Sequence, residues 1–153
     1  MSKSILSPAK LLYDSLKKFY NVKANYNKIL FLRDKKESKV SLRIYDKYVT
    51  QYAKKKTILI PGETDTYVYD AYKSQLTAWG KKMFDPNSRD HTNKNKQMDD
   101  DKYITKFNLS TENGSIPDTN IGQLNFFRWI IQNKIYDLII KDLDAVKDFV
   151  NKN

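Results

Sequence analysis

The segment from Ser41 to Lys56 places the tightest constraint on how this chain can fold. At about 100° per residue, Leu42, Tyr45, Tyr48, Val49 and Tyr52 gather on one broad helical face. Arg43, Lys47, Thr50 and Lys54 gather almost directly opposite, and Lys55 and Lys56 close the segment. A face carrying three tyrosines must be covered by other parts of the protein, whereas the lysine face needs water or an anionic partner. The chain must therefore supply a core for an aromatic-faced helix. With 153 residues, 40% of them hydrophobic and 13% aromatic, it can do so within a single domain.

Other segments show how that core is built. Ser7-Pro8 is a helix start, because serine caps free N–H groups and proline is preorganised for the first helical position. It predicts a helix over residues 8–20 with Leu12, Leu16 and Phe19 in one stripe. A second helix is expected from Lys23 to Leu32, with Tyr26, Ile29 and Leu30 inward, and then a charged loop from Arg33 to Lys39. Thr57–Ile60 ends at Pro61-Gly62, a turn signal, and Thr66–Tyr72 is rich in strand formers, so the two are expected to pair as a hairpin. Tyr72–Met83 suits strand or helix equally. A polar stretch follows Phe84-Asp85-Pro86, and alternation from Lys102 to Leu109 predicts a strand before the Asn113-Gly114 turn. Beyond it, Asp118 or Thr119 is expected to cap a helix with Leu124, Phe127, Ile130 and Ile131 inward. A bend is expected at Asn133-Lys134 and a final helix after Asp142. The expected architecture is α+β, with helices at both ends packed on a small antiparallel sheet. It divides into a basic helical part (1–56), central strands with a loop (57–117) and a helical C-terminal part (118–153).

Charge is distributed unevenly. Residues 1–60 hold 15 Lys+Arg against 4 Asp+Glu, whereas residues 61–100 hold 6 against 7 and residues 101–153 hold 7 against 7. An excess confined to the first part of a chain suggests a surface for a polyanion or an acidic partner. Only Arg33, Arg43, Arg89 and Arg128 are arginines. A lysine-dominated surface attracts phosphate diffusely, while arginine is the usual reader of guanine edges. The Lys, Asn, Ile and Tyr bias is also what an AT-rich genome encodes.

Catalytic chemistry has few places to reside. There is no cysteine, which removes disulfides, thiolate metal sites and thiol nucleophiles. The one histidine, His91, would need Asp85, Asp90 or Asp99 to hold a metal, and is expected to be a plain surface residue. Asp99, Asp100 and Asp101 form an acidic run flanked by lysines, and the four glycines are isolated, so no phosphate loop or dinucleotide fingerprint exists. No cofactor, metal or enzymatic activity is expected. Neither a membrane span nor a secretory leader is apparent, so the expected setting is not secreted and involves no membrane.

Three blocks carry a resemblance: Ser41–Lys55, Tyr72–Pro86 and Ile121–Trp129. In order and spacing they resemble an uncharacterised protein family that recurs in nucleocytoplasmic large DNA viruses. The resemblance implies a viral setting, in the virion or in the viral factory of the host cytoplasm, and brings no settled activity. In that family the Phe-Asp-Pro block continues with an aromatic, a cysteine and two basic residues. Here it continues Asn87-Ser88-Arg89-Asp90, so a thiol or metal role does not carry over.

The sequence thus leads to a non-enzymatic basic protein that associates with DNA or RNA through Lys17, Lys18, Lys35, Lys36, Lys39, Arg43, Lys47, Lys54, Lys55 and Lys56. Lys73, Trp79, Lys81 and Lys82 form a secondary group, in which the indole either stacks a base or closes the core. Arg128, between Phe127 and Trp129, is expected to pack its stem on aromatic rings. The alternative is a minor capsid, core or assembly protein whose basic face meets viral core or capsid proteins.

Overall fold

The computed structural model describes residues 7–87 and 101–152. Ten α-helices are described, with one π-helical turn and one two-stranded sheet. Helix α1 (Pro8–Asn21) starts where Ser7 Oγ accepts the Lys10 N–H at 3.1 Å, and it buries Leu12, Leu16 and Tyr20. Helix α2 (Lys23–Arg33) buries Ile29 and Leu32. The charged stretch expected to be a loop contains a further turn of helix, α3 (Lys35–Ser38), because the Asp34 carboxylate accepts the Lys36 and Glu37 N–H groups. Ser41 then caps α4 (Leu42–Lys47), which continues through a π-helical turn (Tyr48–Tyr52) into α5 (Ala53–Lys56).

The expected hairpin shrinks to a single bridge between Leu59 and Tyr67, with the Ile60 N–H on the Thr66 carbonyl and the Val68 N–H on that of Ile58. From Val68 the chain is helical as α6 (Val68–Trp79), burying Val68 and Tyr72 one turn apart. That resolves the ambiguity of residues 72–83 as helix up to Trp79. The strand expected over Lys102–Leu109 is helical in its first half, α7 (Asp101–Ile104), because Tyr103 and Ile104 are both buried, as consecutive residues of a surface strand would not be. Strand β1 (Phe107–Thr111) pairs antiparallel with β2 (Gly114–Thr119), and Leu109 faces Ile116 with both buried. The cap of α8 (Ile121–Gln132) is Asn120 rather than Asp118 or Thr119, its Oδ1 accepting the Gln123 N–H at 3.0 Å. Thr119 instead donates its hydroxyl to Gln123 Oε1. Lys134, in the left-handed region at φ 54°, makes the anticipated bend into α9 (Ile135–Lys141), and α10 (Leu143–Lys152) follows. The architecture is α+β with helices at both ends and a small antiparallel sheet.

Helix α8 is the centre of the core: every residue from Ile121 to Ile130 is buried except Arg128. Its aromatics meet rings from two other stretches. Tyr45 lies edge-on to Phe127 at 5.1 Å, Phe84 meets Phe126 at 5.4 Å and Trp129 at 5.8 Å, and Tyr72 meets Trp129 at 6.3 Å. The three sequence blocks singled out above therefore converge on one aromatic cluster, where each such pair adds about 0.5–1.5 kcal/mol beyond its burial. Segment 83–87 is strapped onto α8 by side-chain amides: Asn125 Nδ2 donates to the Met83 carbonyl and Gln123 Nε2 to that of Pro86, both at 2.8 Å.

Gly122 permits this approach, since a Cβ there would stand 3.0 Å from the Lys82 carbonyl oxygen. Gly122→Ala is expected to cost about 1–3 kcal/mol from overpacking, more than offsetting a helix-propensity gain of about 1 kcal/mol. Chemical denaturation of the two proteins checks this, and an unchanged or raised stability would contradict the close approach.

Buried tyrosine hydroxyls give the fold an alkaline limit. Burial pushes the hydroxyls of Tyr20, Tyr45 and Tyr48 up from the ordinary value of 10.0. Tyr20 donates to the Leu124 carbonyl and Tyr45 to the Leu32 carbonyl, bonds that need the proton. The folded chain thus keeps protons that the unfolded chain releases near pH 10. The resulting stability is fully present below that pH and is lost as pH rises through the raised values. Part of the tyrosinate absorbance should consequently appear only as near-UV dichroism disappears; smooth ionisation of all 11 tyrosines with the fold intact would refute it.

Candidate nucleic-acid interface

The candidate cations lie at separate stations. Lys17 and Lys18 are exposed on α1, whose other side packs on α2, α7, α8 and β1. Lys35, Lys36 and Lys39 are exposed on and just after α3, which packs on α2. Lys54, Lys55 and Lys56 are exposed on α5, which packs on α6 and the π-helical turn.

The stripe anticipated along Arg43, Lys47, Thr50 and Lys54 is broken by the π-helical turn. There the Ala53 N–H donates to the Tyr48 carbonyl five residues back, which slips the downstream helix out of the 100° register. Arg43 turns towards α10, with Nη2 3.5 Å from the Val150 carbonyl. Lys47 is half-buried, and Thr50 donates its hydroxyl to the Asp46 carbonyl instead of facing outward with the cations. Lys54 lies over the Tyr69 ring on α6 at 5.2 Å. In exchange, the wider turn buries Tyr48, Val49, Tyr52 and Ala53 together, so this helix packs against both α6 and α10.

Downstream of that turn the structure assembles a cluster that no single stretch of sequence reveals. A pocket of about 280 Å³ between α5 and α10 is lined by Tyr52, Lys55, Lys56, Ala145, Asp148, Phe149 and Lys152. Lys55 lies 5.7 Å from the centre of the Phe149 ring and Lys56 lies 6.0 Å from that of Tyr52. Rings beneath ammonium groups hold them in place without neutralising them. The Tyr52 hydroxyl donates to Asp142 Oδ2 at 3.2 Å, and burial, with the Asp142 charge second, raises its pKa. Lys152 pairs with Asp148 at 3.0 Å on an exposed turn. Sequence reasoning missed Lys152 and Phe149, because they sit in a C-terminal third of zero net charge. Their i,i+3 spacing was visible, but their position opposite Lys55 and Lys56 was not.

Charge pairing is sparse. Among the described residues the ion pairs are Lys10–Asp14 and Lys152–Asp148, and none of the ten candidate cations takes part in one. Three arginines are committed to the fold. Arg33 Nη2 donates to the Pro117 carbonyl at 2.7 Å, Arg43 leans on Val150, and Arg128 donates to Ser15 Oγ and Asn125 Oδ1 at 2.7 and 3.0 Å. Burial lowers the pKa of both Arg33 and Arg128. Arg43 nonetheless stays exposed, so among the described residues the exposed positive surface is made of lysines and this one arginine.

In the secondary group, Lys73, Lys81 and Lys82 are exposed, and Trp79 is half-buried with its Nε1–H on Gln75 Oε1 at 3.2 Å. Its indole lines a groove of about 500 Å³ between α6 and α8, shared with Asn125, Arg128, Trp129 and Gln132. His91, Arg89, Asp90, Asp99 and Asp100 lie outside the described residues, as does the side chain of Asp101. Asp85 is buried, its Oδ1 accepting the Asn87 N–H at 3.1 Å. Among the described residues no helix is long and apolar enough to cross a membrane.

Comparison with known proteins agrees with the resemblance seen in the sequence. A family model described as "Family of unknown function (DUF7197)" matches residues 3–152. The "Uncharacterized protein L507" of Acanthamoeba polyphaga mimivirus is 33% identical over 140 residues, covering 88% of this chain and 51% of its own length. The chain thus spans about half the length of that relative. No solved structure matches.

Proposed function

The chain belongs to this DUF7197 family and is similar to a giant-virus protein, and we propose that it is a non-enzymatic component that associates with viral nucleic acid through exposed lysines. The observation that carries this reading is that the candidate cations make no ion pair among the described residues, and all but Lys47 are exposed. Ammonium groups without carboxylate partners keep their full attraction for phosphate, and releasing counterions on contact drives binding regardless of base sequence. The firmest station is the pocket between α5 and α10, where the unpaired Lys55 and Lys56 lie over Phe149 and Tyr52 beside the Lys152–Asp148 pair. Lys17, Lys18, Lys35, Lys36 and Lys39 extend the contact to other faces. Because the candidate cations are lysines apart from Arg43, recognition is of the phosphate chain and not of base edges. Its setting would be the virion or the viral factory.

The test is gel retardation of duplex DNA and of single-stranded RNA across a salt series. With about five phosphate contacts, log affinity should fall against log salt with a slope near −4 to −5. Absence of retardation at low salt would sink the reading. Co-purification with acidic virion proteins that survives nuclease treatment would replace nucleic acid by a protein partner.

A further inference from the structure

We propose that the groove between α6 and α8 is a second binding site, one that takes a nucleoside phosphate, with the base against Trp79 and the phosphate on Arg128. This inference shares no residue with the ten cations of the proposed interface, and takes up Trp79 from the secondary group. The groove, at about 500 Å³, lies within the range of small-molecule sites.

Arg128 is the only described residue of α8 between Ile121 and Ile130 that is not buried, and it is half-covered by its surroundings. Its guanidinium makes two hydrogen bonds, to Ser15 Oγ and Asn125 Oδ1, both neutral partners. Of five N–H donors three remain, and no carboxylate among the described residues pairs with the charge. A partly desolvated cation held in place by neutral groups is a preorganised receptor for an anion, and guanidinium matches phosphate in a two-point contact.

The rest of the lining selects what else the anion carries. Trp79 has already given its Nε1–H to Gln75, so only ring surface is left for a ligand. Ring surface favours a flat aromatic partner. The amides around it are half-used in complementary senses: Gln75 accepts through Oε1 and keeps its NH2 donors, while Asn133 donates Nδ2 to the Trp129 carbonyl and keeps its oxygen. Gln132, exposed on the groove wall, offers both. Donors and acceptors side by side next to a ring suit the edge of a nucleobase, and a simple carboxylate or sugar would leave the indole unused.

The chain has two tryptophans, Trp79 and Trp129, and both line this groove, so intrinsic fluorescence reports occupancy directly. The full chain is titrated with a nucleoside 5′-monophosphate, the same nucleoside without phosphate, and short single strands with and without a 5′-phosphate. The monophosphate should quench at least about tenfold more tightly than the nucleoside, as expected when a charge-assisted contact is lost. Quenching by the phosphorylated strand alone would make the ligand a strand end, and quenching by the free nucleotide would make it a small molecule; either supports the site. Gln132→Glu, an exposed isosteric change, sets a carboxylate in the groove beside Arg128 and should cut nucleotide affinity by at least about tenfold while circular dichroism stays constant. Arg128→Gln should do the same, with Gln132→Glu as the control that does not disturb the Ser15 and Asn125 contacts. Equal quenching by nucleoside and monophosphate, no quenching by either, or full affinity in Gln132→Glu overturns the site. Changing Lys54, Lys55 and Lys56 should leave nucleotide quenching untouched, which separates failure here from failure of the lysine interface.

Discussion

Replacing Phe84 by alanine is expected to lower the free energy of unfolding by about 3–5 kcal/mol, the range for removing a fully buried phenylalanine. Phe84 has no exposed surface and lies at the meeting point of Tyr72, Phe126 and Trp129. It belongs to an irregular strap with no helix or ladder of its own, so the ring is its chief anchor alongside the amides of Gln123 and Asn125. Without the ring those amides must hold the strap over a cavity, and part of the Gly122 approach is lost. Because domain stabilities are commonly about 5–15 kcal/mol, such a loss leaves little margin. Urea unfolding followed by tryptophan fluorescence gives the number. A loss under about 1 kcal/mol would mean the strap can collapse into the space and that the cluster is not the keystone described above.

The second large effect is functional. Changing Lys54, Lys55 and Lys56 together to glutamate should weaken nucleic-acid binding by several hundredfold at about 0.1 M salt. Each neutralised phosphate contributes a factor of roughly 8 under those conditions, so three contribute roughly 500. The salt slope should become shallower by about 2.7. All three side chains are exposed, so the fold should survive; what the core loses is the support the Tyr52, Tyr69 and Phe149 rings gain from the ammonium groups. The corresponding change of Lys35, Lys36 and Lys39 should cost less, since among the described contacts the ammonium groups over aromatic rings include Lys54, Lys55 and Lys56 and none of these three. An unaltered slope for the α5 variant would show that phosphates do not touch this end of the molecule.

Local signals were legible where a single turn of chain decides the outcome. Ser7-Pro8 and Ser41 start helices because the serine side chains meet N–H groups three residues on, and Asn133-Lys134 bends the C-terminal helices where expected. The aromatic face of Tyr45, Tyr48 and Tyr52 was equally plain. What failed were segments whose composition and tertiary setting disagree. Thr66–Tyr72 has the residues of a strand, yet only Tyr67 pairs, with Leu59, while Tyr72 reaches Phe84 and Trp129 from a helix. Tyr103 and Ile104 read as strand until the Ile104 carbonyl is seen to accept from Asn120, the cap of α8. The lysines of the candidate interface were visible from charge alone. Their grouping was not, because Lys55 and Lys152 are brought to one pocket only when α10 folds back across the helix of Tyr52.

The widened turn at Tyr48–Tyr52 makes this helix behave as two gears on one shaft. The upstream half meshes with α10 through Arg43, and the downstream half carries the lysine triplet between α6 and α10. Closing this wide turn into an unbroken α-helix of the same length would spin one half by about 100° against the other. The width of one turn is thus as much part of the interface as charge: a chain could keep every lysine and still aim them at the wrong neighbour.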